Sequence, residues 1–202
     1  MENMQELRHL QVMGSDLPYP NSEGALLPNL LTLLGVVITE EILQRIPNLK
    51  KLGFQEELAP DAVEHLCCFN QVSNSYRLES LKCVIVNPTS HQVVPSLLPG
   101  GSIFPSGLKK LTLSGLSLAW ENMGIIACIW NLEVLKLRCY AFRGPVWQTC
   151  QRGFKNLRVL LIEDMDLEYW KGSSRPFLPD LQRLTVSHCY KLKEILGSLK
   201  MS

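Results

Sequence analysis

Residues Leu181–Ile195 read LQRLTVSHCYKLKEI, and the spacing of their apolar positions decides the fold. Leu184 and Val186 alternate with Arg183 and Thr185, the period of a half-buried strand. Leu181, Cys189, Leu192 and Ile195 add apolar anchors before and after that strand. The same opening recurs upstream as Leu7/Leu10/Val12, Leu30/Leu33/Gly35, Leu49/Leu52/Phe54 and Leu78/Leu81/Cys83. It continues as Leu108/Leu111/Leu113, Leu132/Leu135/Leu137 and Leu157/Leu160/Ile162, so first leucines return every 19 to 30 residues. Met4, Leu27, Ile46, Ile129, Phe154 and Leu178 each precede a first leucine by three positions. Phe104 precedes Leu108 by four, an insertion of one residue, and Ser75 breaks the pattern before Leu78.

Self-similarity at this period is the signature of leucine-rich repeats. The fold class expected is α/β: a solenoid, or horseshoe, with a parallel sheet on its concave face and short helices and irregular turns on its convex face. Residues 1–202 form one domain of about eight repeats. Such arrays normally shield their ends with atypical repeats. Neither Met1–Met13 nor Gly197–Ser202 reads as a cap, so the expectation is a domain uncapped or truncated at both ends, with apolar end surfaces that favour association.

A net charge of +1 with 46% hydrophobic residues points to neither nucleic acid nor strong membrane attraction. No run of apolar residues is long enough for a membrane span. The N-terminal residues lack the basic start and apolar stretch of a secretory signal. The seven cysteines are odd in number and form no C-x-x-C pair. Cys83 and Cys189 fall on inward positions, where free cysteine acts as a small apolar residue. His9, His65, His91 and His188 have no ligand cluster near them in sequence, and Asn87-Pro88-Thr89 is blocked as a glycosylation acceptor. A reducing, intracellular setting follows.

Between strands, Thr39–Ile46 reads as a short helix capped by Thr39, and Ala59–Phe69 as an amphipathic one begun by Pro60 and Asp61. Leu78–Val86 is a strand. Asn87–Ser102, with three prolines and two adjacent glycines, is an irregular loop on the solenoid. Trp120–Ile129 reads as a helix or pair of turns interrupted by Gly124. Trp120, Trp147 and Trp170 occupy similar places in successive repeats and are read as filling between turns, with ligand stacking as the alternative.

Strand alternation turns the residues between the inward leucines toward solvent in three columns. The first is His9, Thr32, Lys51, Ser80, Lys110, Val134, Val159 and Arg183. The second is Gln11, Leu34, Gly53, Lys82, Thr112, Lys136, Leu161 and Thr185. The third is Met13, Val36, Gln55, Val84, Ser114, Arg138, Glu163 and Ser187. Six cations therefore oppose one acid, Glu163. One reading is solubility; the other is docking to an acidic protein surface, because like charges within a Debye length of about 8 Å reinforce one another. Few aromatics interleave with the cations, which argues against nucleic acid. The acidic run Glu163–Glu168 lacks the glycine turn and ligand spacing of a calcium loop and is read as a solvated edge. There is no phosphate-binding G-x-x-x-x-G-K-[S/T], no G-x-S-x-G and no H-E-x-x-H, so no enzyme activity and no cofactor are expected.

Several stretches carry a family likeness: Leu27–Leu30 (LPNL), Arg45–Leu52 (RIPNLKKL), Phe104–Leu116 (FPSGLKKLTLSGL), Asn131–Leu137 (NLEVLKL), Leu160–Trp170 (LLIEDMDLEYW) and His188–Ile195 (HCYKLKEI). They resemble the C-terminal repeats of plant intracellular immune receptors, in particular the coiled-coil nucleotide-binding class that includes late blight resistance proteins. The resemblance implies a cytoplasmic receptor that triggers defence and local cell death, whose repeats bind a pathogen effector or guarded host protein and restrain the nucleotide-binding domain. ADP or ATP would belong to that domain, which this sequence lacks. The sequence also departs from the common repeat at the ninth position, where asparagine is replaced by Ile38, Glu57, Val86, Leu116, Tyr140 and Met165. The residues expected to bind protein are Lys51, Lys82, Lys110, Thr112, Val134, Lys136, Arg138, Val159, Leu161, Glu163, Arg183 and Thr185. Val159 and Leu161 stand out as apolar residues expected in water. The competing class is a substrate adaptor or other protein-binding scaffold unrelated to immunity. An adaptor for ubiquitin ligation would need an F-box-like helical segment, and residues 1–30 contain none.

Overall fold

A strand of three to seven residues cannot satisfy its own backbone and must find partners on either side. In the computed structural model those partners are the equivalent strands of neighbouring repeats. The structure describes residues 4–12, 26–36, 40–57, 72–73, 75, 77–86, 104–149, 153–172, 178–196 and 199–200. After a short 3-10 turn at Met4–Glu6 come β1 (His9–Gln11), β2 (Thr32–Val36), α1 (Glu40–Gln44), β3 (Lys51–Glu57), β4 (Ser80–Val86) and β5 (Lys110–Ser114). There follow β6 (Leu118–Ala119), a 3-10 turn at Trp120–Asn122, α2 (Met123–Ala127), β7 (Val134–Arg138), β8 (Phe142–Arg143) and β9 (Val146–Gln148). The last elements are β10 (Val159–Glu163), β11 (Tyr169–Lys171), β12 (Arg183–Ser187), β13 (Glu194–Ile195) and β14 (Leu199–Lys200).

One eight-stranded sheet runs β1-β2-β3-β4-β5-β7-β10-β12, in chain order and parallel at every junction. Parallel neighbours need a crossover of a dozen residues or more, which the repeat length supplies. With few helices, this is an α/β architecture compatible with a leucine-rich-repeat fold. Register places Leu10, Leu33, Leu52, Leu81, Leu111, Leu135, Leu160 and Leu184 in one row across the sheet. The six inner members are 0–2% exposed. Each such burial is worth about 1.5–3 kcal/mol, so the row is a principal source of stability. On β1 and β12, which among the described residues have a strand neighbour on one side only, Leu10 and Leu184 are half-buried.

The third inward position departs from expectation on β2. The repeat frame puts Gly35 inward and Val36 outward, yet Val36 pairs with Phe54 and the register shifts between Leu34 and Val36. Gly35 lies at φ +76°, and a Cβ there would sit 2.0 Å from the Val12 carbonyl oxygen. The chain bulges at the one residue able to pass so close to the neighbouring backbone.

The far side of the sheet also differs from a face of helices and irregular turns. Beside α1 and α2 it carries β6 paired with β8, and a four-stranded sheet ordered β14-β13-β11-β9. α1 falls within the predicted Thr39–Ile46. α2 runs through Gly124, where an added Cβ would meet nothing within 4 Å, so that glycine does not interrupt it. The Thr39 cap, the Ala59–Phe69 helix and the Asn87–Ser102 loop lie outside the described residues.

Trp120, Trp147 and Trp170 are at most 4% exposed and stack face to face. Ring centroids are 5.0 Å apart for Trp120–Trp147 and 4.3 Å for Trp147–Trp170, both with planes 16° apart. Phe142 extends the stack at 5.0 Å from Trp120. Trp120 Nε1 donates to the Gly144 carbonyl at 3.0 Å. The tryptophans thus fill space between repeats, and their burial leaves no face for a ligand.

A second inter-repeat device has no counterpart in the leucine frame. Asn29, Asn48, Asn131 and Asn156 each immediately precede a first leucine. Their Nδ2 atoms donate to the carbonyls of Gln5 (2.8 Å), Pro28 (2.7 Å), Ser106 (2.9 Å) and Trp130 (2.6 Å) in the preceding repeat. Every acceptor lies two residues before its own first leucine. The ninth-position asparagine that the sequence lacks is therefore matched by another asparagine at the opposite end of the strand, tying neighbouring repeats by side chain to backbone.

Candidate functional site

The sheet face opposite the leucine row carries the residues expected to bind protein. Pairing aligns Lys51, Ser80, Lys110, Val134, Val159 and Arg183 in one column and Lys82, Thr112, Lys136, Leu161 and Thr185 in the next. Both columns match the sequence reading. In the third, Gln55, Val84, Ser114 and Arg138 align, and Glu163 aligns with Ser187. The bulge removes Val36 from that column, and Met13 is outside the described residues.

Lys51, Lys82, Lys110 and Lys136 sit on four consecutive strands and alternate between the two columns. With strands about 4.8 Å apart they make a zigzag across the middle of the face. Lys51, Lys82, Lys110 and Arg183 are exposed and Lys136 is half-buried. Among the described residues none of these five has an ion-pair partner within 4.0 Å. Arg138 differs: its Nε lies 3.0 Å from Glu163 Oε2, so the sixth cation and the lone acid neutralise each other. The positive field comes from the lysines, reinforced because their spacing is within a Debye length.

Val134, Val159 and Leu161 are half-buried, where alternation alone predicts full exposure. Long neighbouring side chains such as Lys136 can cover apolar surface with their stems while keeping their charges wet. Thr112, half-buried, places a hydroxyl between Lys82 and Lys136, and Thr185, beside Leu161 on β12, is exposed.

Outside the columns, Glu79 bridges Lys50 at 3.7 Å and Lys109 at 3.1 Å. The hydrogen bond and charge of Lys109 hold its carboxyl below the usual value of 4.5. Glu168 is lowered in the same way by Lys193, 2.7 Å away, whose ammonium is raised in turn. These acids are engaged by flanking lysines and do not offset the zigzag on the face.

At the C-terminal ends of the strands the backbone turns sharply. Gly115, Cys139, Asp164 and His188 each follow a strand directly and lie at φ 78°, 47°, 55° and 53°. Those turns bring Glu163, Asp164 and His188 together, with potential ligand atoms all within 4.8 Å of one another. His188 Nδ1 is 3.5 Å from Asp164 Oδ1, and Cys139 Sγ is 4.0 Å from Asp164 Oδ2. Neighbours in sequence give the histidines no ligand cluster; only the stacking of repeats makes one. Cys83 is buried as expected, and Cys189 is half-buried, its thiol pushed up chiefly by desolvation.

Comparison with known proteins bears on what such a face is part of. Two putative late blight resistance protein homologs of Solanum demissum are each 30% identical over 206 residues, covering 96% of this chain. The disease resistance protein RPP8 of Arabidopsis thaliana is 32% identical over 109 residues, or 52% of the chain. The chain is homologous to part of these plant disease resistance proteins. It spans 15% of the length of the two Solanum relatives, and the match to RPP8 covers 12% of that protein. No family model matches the chain. Among the described residues no helix is long and apolar enough to cross a membrane.

Proposed function

We propose that the chain is a leucine-rich-repeat solenoid, curved as a horseshoe, and serves as a non-enzymatic recognition and regulatory module of an intracellular plant immune receptor. The lysine zigzag is the observation that carries this reading. Four cations without ion-pair partners among the described residues, on consecutive strands of one face, create a field suited to an acidic protein surface. The homology to disease resistance proteins supplies the setting. In this reading Lys51, Lys82, Lys110, Lys136 and Arg183 provide attraction. Thr112 and Thr185 supply hydrogen bonds, while Val134, Val159 and Leu161 supply apolar contact. Arg138 and Glu163 are paired to each other at the margin.

The partner is a pathogen effector, a guarded host protein, or the nucleotide-binding domain of the same receptor. The chain itself binds no ADP or ATP and works in the cytoplasm. The test is co-purification with a recombinant nucleotide-binding domain from a homologous resistance protein, at low and high salt. Binding that weakens as salt rises, and that falls at least tenfold in the double variant Lys110→Glu/Lys136→Glu, is the expected result; about 1.4 kcal/mol would account for tenfold. Equal binding by wild type and double variant would leave the lysines with solubility alone.

A further inference from the structure

We propose that the turn edge of β7, β10 and β12 is a binding site for a borderline divalent transition-metal ion of the zinc class. Its ligands are Glu163, Asp164 and His188, with Cys139 completing the set. The site does not depend on the recognition reading above, because it lies at the strand ends and uses none of the zigzag lysines.

Glu163 pairs with Ser187 across β10 and β12, so Asp164 and His188, one residue further on, sit side by side. Ile162 pairs with Leu137 across β10 and β7, which places Cys139 on the other side of Asp164. Cys139, Asp164 and His188 all adopt the left-handed conformation, so their side chains leave the backbone at the same point of successive repeats. Neighbouring strands are about 4.8 Å apart, and short side chains close that gap to ligand–ligand distances.

One distance already matches a small ion. Ligands about 2.0–2.2 Å from a tetrahedral centre lie about 3.4 Å from each other. His188 Nδ1 and Asp164 Oδ1 are 3.5 Å apart. Glu163 lies with them inside a 4.8 Å group, and a side-chain rotation would bring it in. Cys139 is exposed with its Sγ 4.0 Å from Asp164 Oδ2; it lies outside the group of three, so its side chain must turn to complete the set. Cys189 is a weaker fourth candidate, because its Sγ donates to the Ser187 carbonyl at 3.4 Å.

Donor type selects the metal. An imidazole nitrogen, a thiolate and two carboxylates suit zinc, cobalt or nickel, whereas calcium and magnesium require six or more oxygens. Coordination by Cys139 breaks its S–H bond and releases one proton to solvent, and the thiolate lone pair forms the metal bond. Arg138 opposes binding, since its guanidinium holds Glu163 Oε2 at 3.0 Å and must release it. That antagonism distinguishes a metal site from a simple cluster of ion pairs.

The experiment titrates the full chain with Co²⁺ and follows visible absorption, then displaces Co²⁺ with Zn²⁺, using Ca²⁺ as the control. Visible bands of tetrahedral cobalt with a sulfur charge-transfer band are expected, and Zn²⁺ should remove them. His188→Ala and Asp164→Asn should each weaken binding at least tenfold, the scale on which even outer-shell partners act. Cys139→Ser should lose the charge-transfer band, and Arg138→Gln should bind more tightly. Unchanged circular dichroism in each variant separates ligand loss from misfolding. Absence of tetrahedral bands in the wild type, His188→Ala binding like wild type, or weaker binding by Arg138→Gln would each overturn the proposal.

Discussion

Replacing Trp147 by alanine removes the middle member of the aromatic stack, and its cost follows from the packing. The indole is 1% exposed and lies between Trp120, 5.0 Å away, and Trp170, 4.3 Å away. Trp→Ala changes at buried sites cost about 3–5 kcal/mol through lost transfer energy and the cavity left behind. Stacked pairs add about 0.5–1.5 kcal/mol beyond buried area, and this substitution breaks two of them. The upper part of the range, about 4–5 kcal/mol, is therefore expected. The neighbouring repeats are fixed by eight parallel strands and cannot close the gap. Trp130 is the internal control: it is 65% exposed, with Lys155 Nζ 3.8 Å from its ring centroid. Its loss should cost about 0.5–1 kcal/mol, the value of an exposed cation–π contact. In urea, with a slope of about 2 kcal/mol per molar, the midpoint should fall by about 2 M for Trp147→Ala and by less than about 0.5 M for Trp130→Ala. Equal midpoints for the two variants would refute the claim that the stack holds the repeats together.

Further outcomes follow from the same structure. Gly35→Ala should destabilise by more than about 1–2 kcal/mol, since the left-handed backbone costs that much and a Cβ would also strike the Val12 carbonyl. Gly124→Ala, in open space within α2, should stabilise by about 0.4–1 kcal/mol; both are read from thermal melts. Asn156→Ala should cost about 0.5–1.5 kcal/mol in urea unfolding by deleting its bond to the Trp130 carbonyl. On acidification, Glu79 and Glu168 have folded pKa values below 4.5, so their contribution is full above that value and lost as pH falls through the folded one. Lys193 is raised above 10.5, so its share is present below that pH and lost as pH rises through the folded value. Melting temperature against pH should fall on the acid side less steeply in Glu79→Gln/Glu168→Gln than in wild type; an identical acid limb would remove these ion pairs from the account.

The sequence alone determined which side chains share a row. Alternation at period two and the recurrence of the leucine frame assign Leu52, Leu81, Leu111, Leu135 and Leu160 to one face and Lys51, Lys82, Lys110 and Lys136 to the other. Stacking in register then leaves one way to align them, which is why these rows and the three buried tryptophans are legible from spacing. Tertiary structure decided what depends on contact between repeats. Gly35 bulges because the Val12 carbonyl of the neighbouring strand passes beside it, a clash no local pattern encodes. The asparagines before the first leucines gain their role from carbonyls of the preceding repeat, although their place in the frame is itself a signal in the sequence. Glu163 and Asp164 of one repeat and His188 of the next meet only because left-handed turns fall at the same point of adjacent strands, with Cys139 of a third repeat 4.0 Å from Asp164. Periodicity is information along one dimension and survives in the chain; a turn edge shared by three repeats exists only once they are laid side by side.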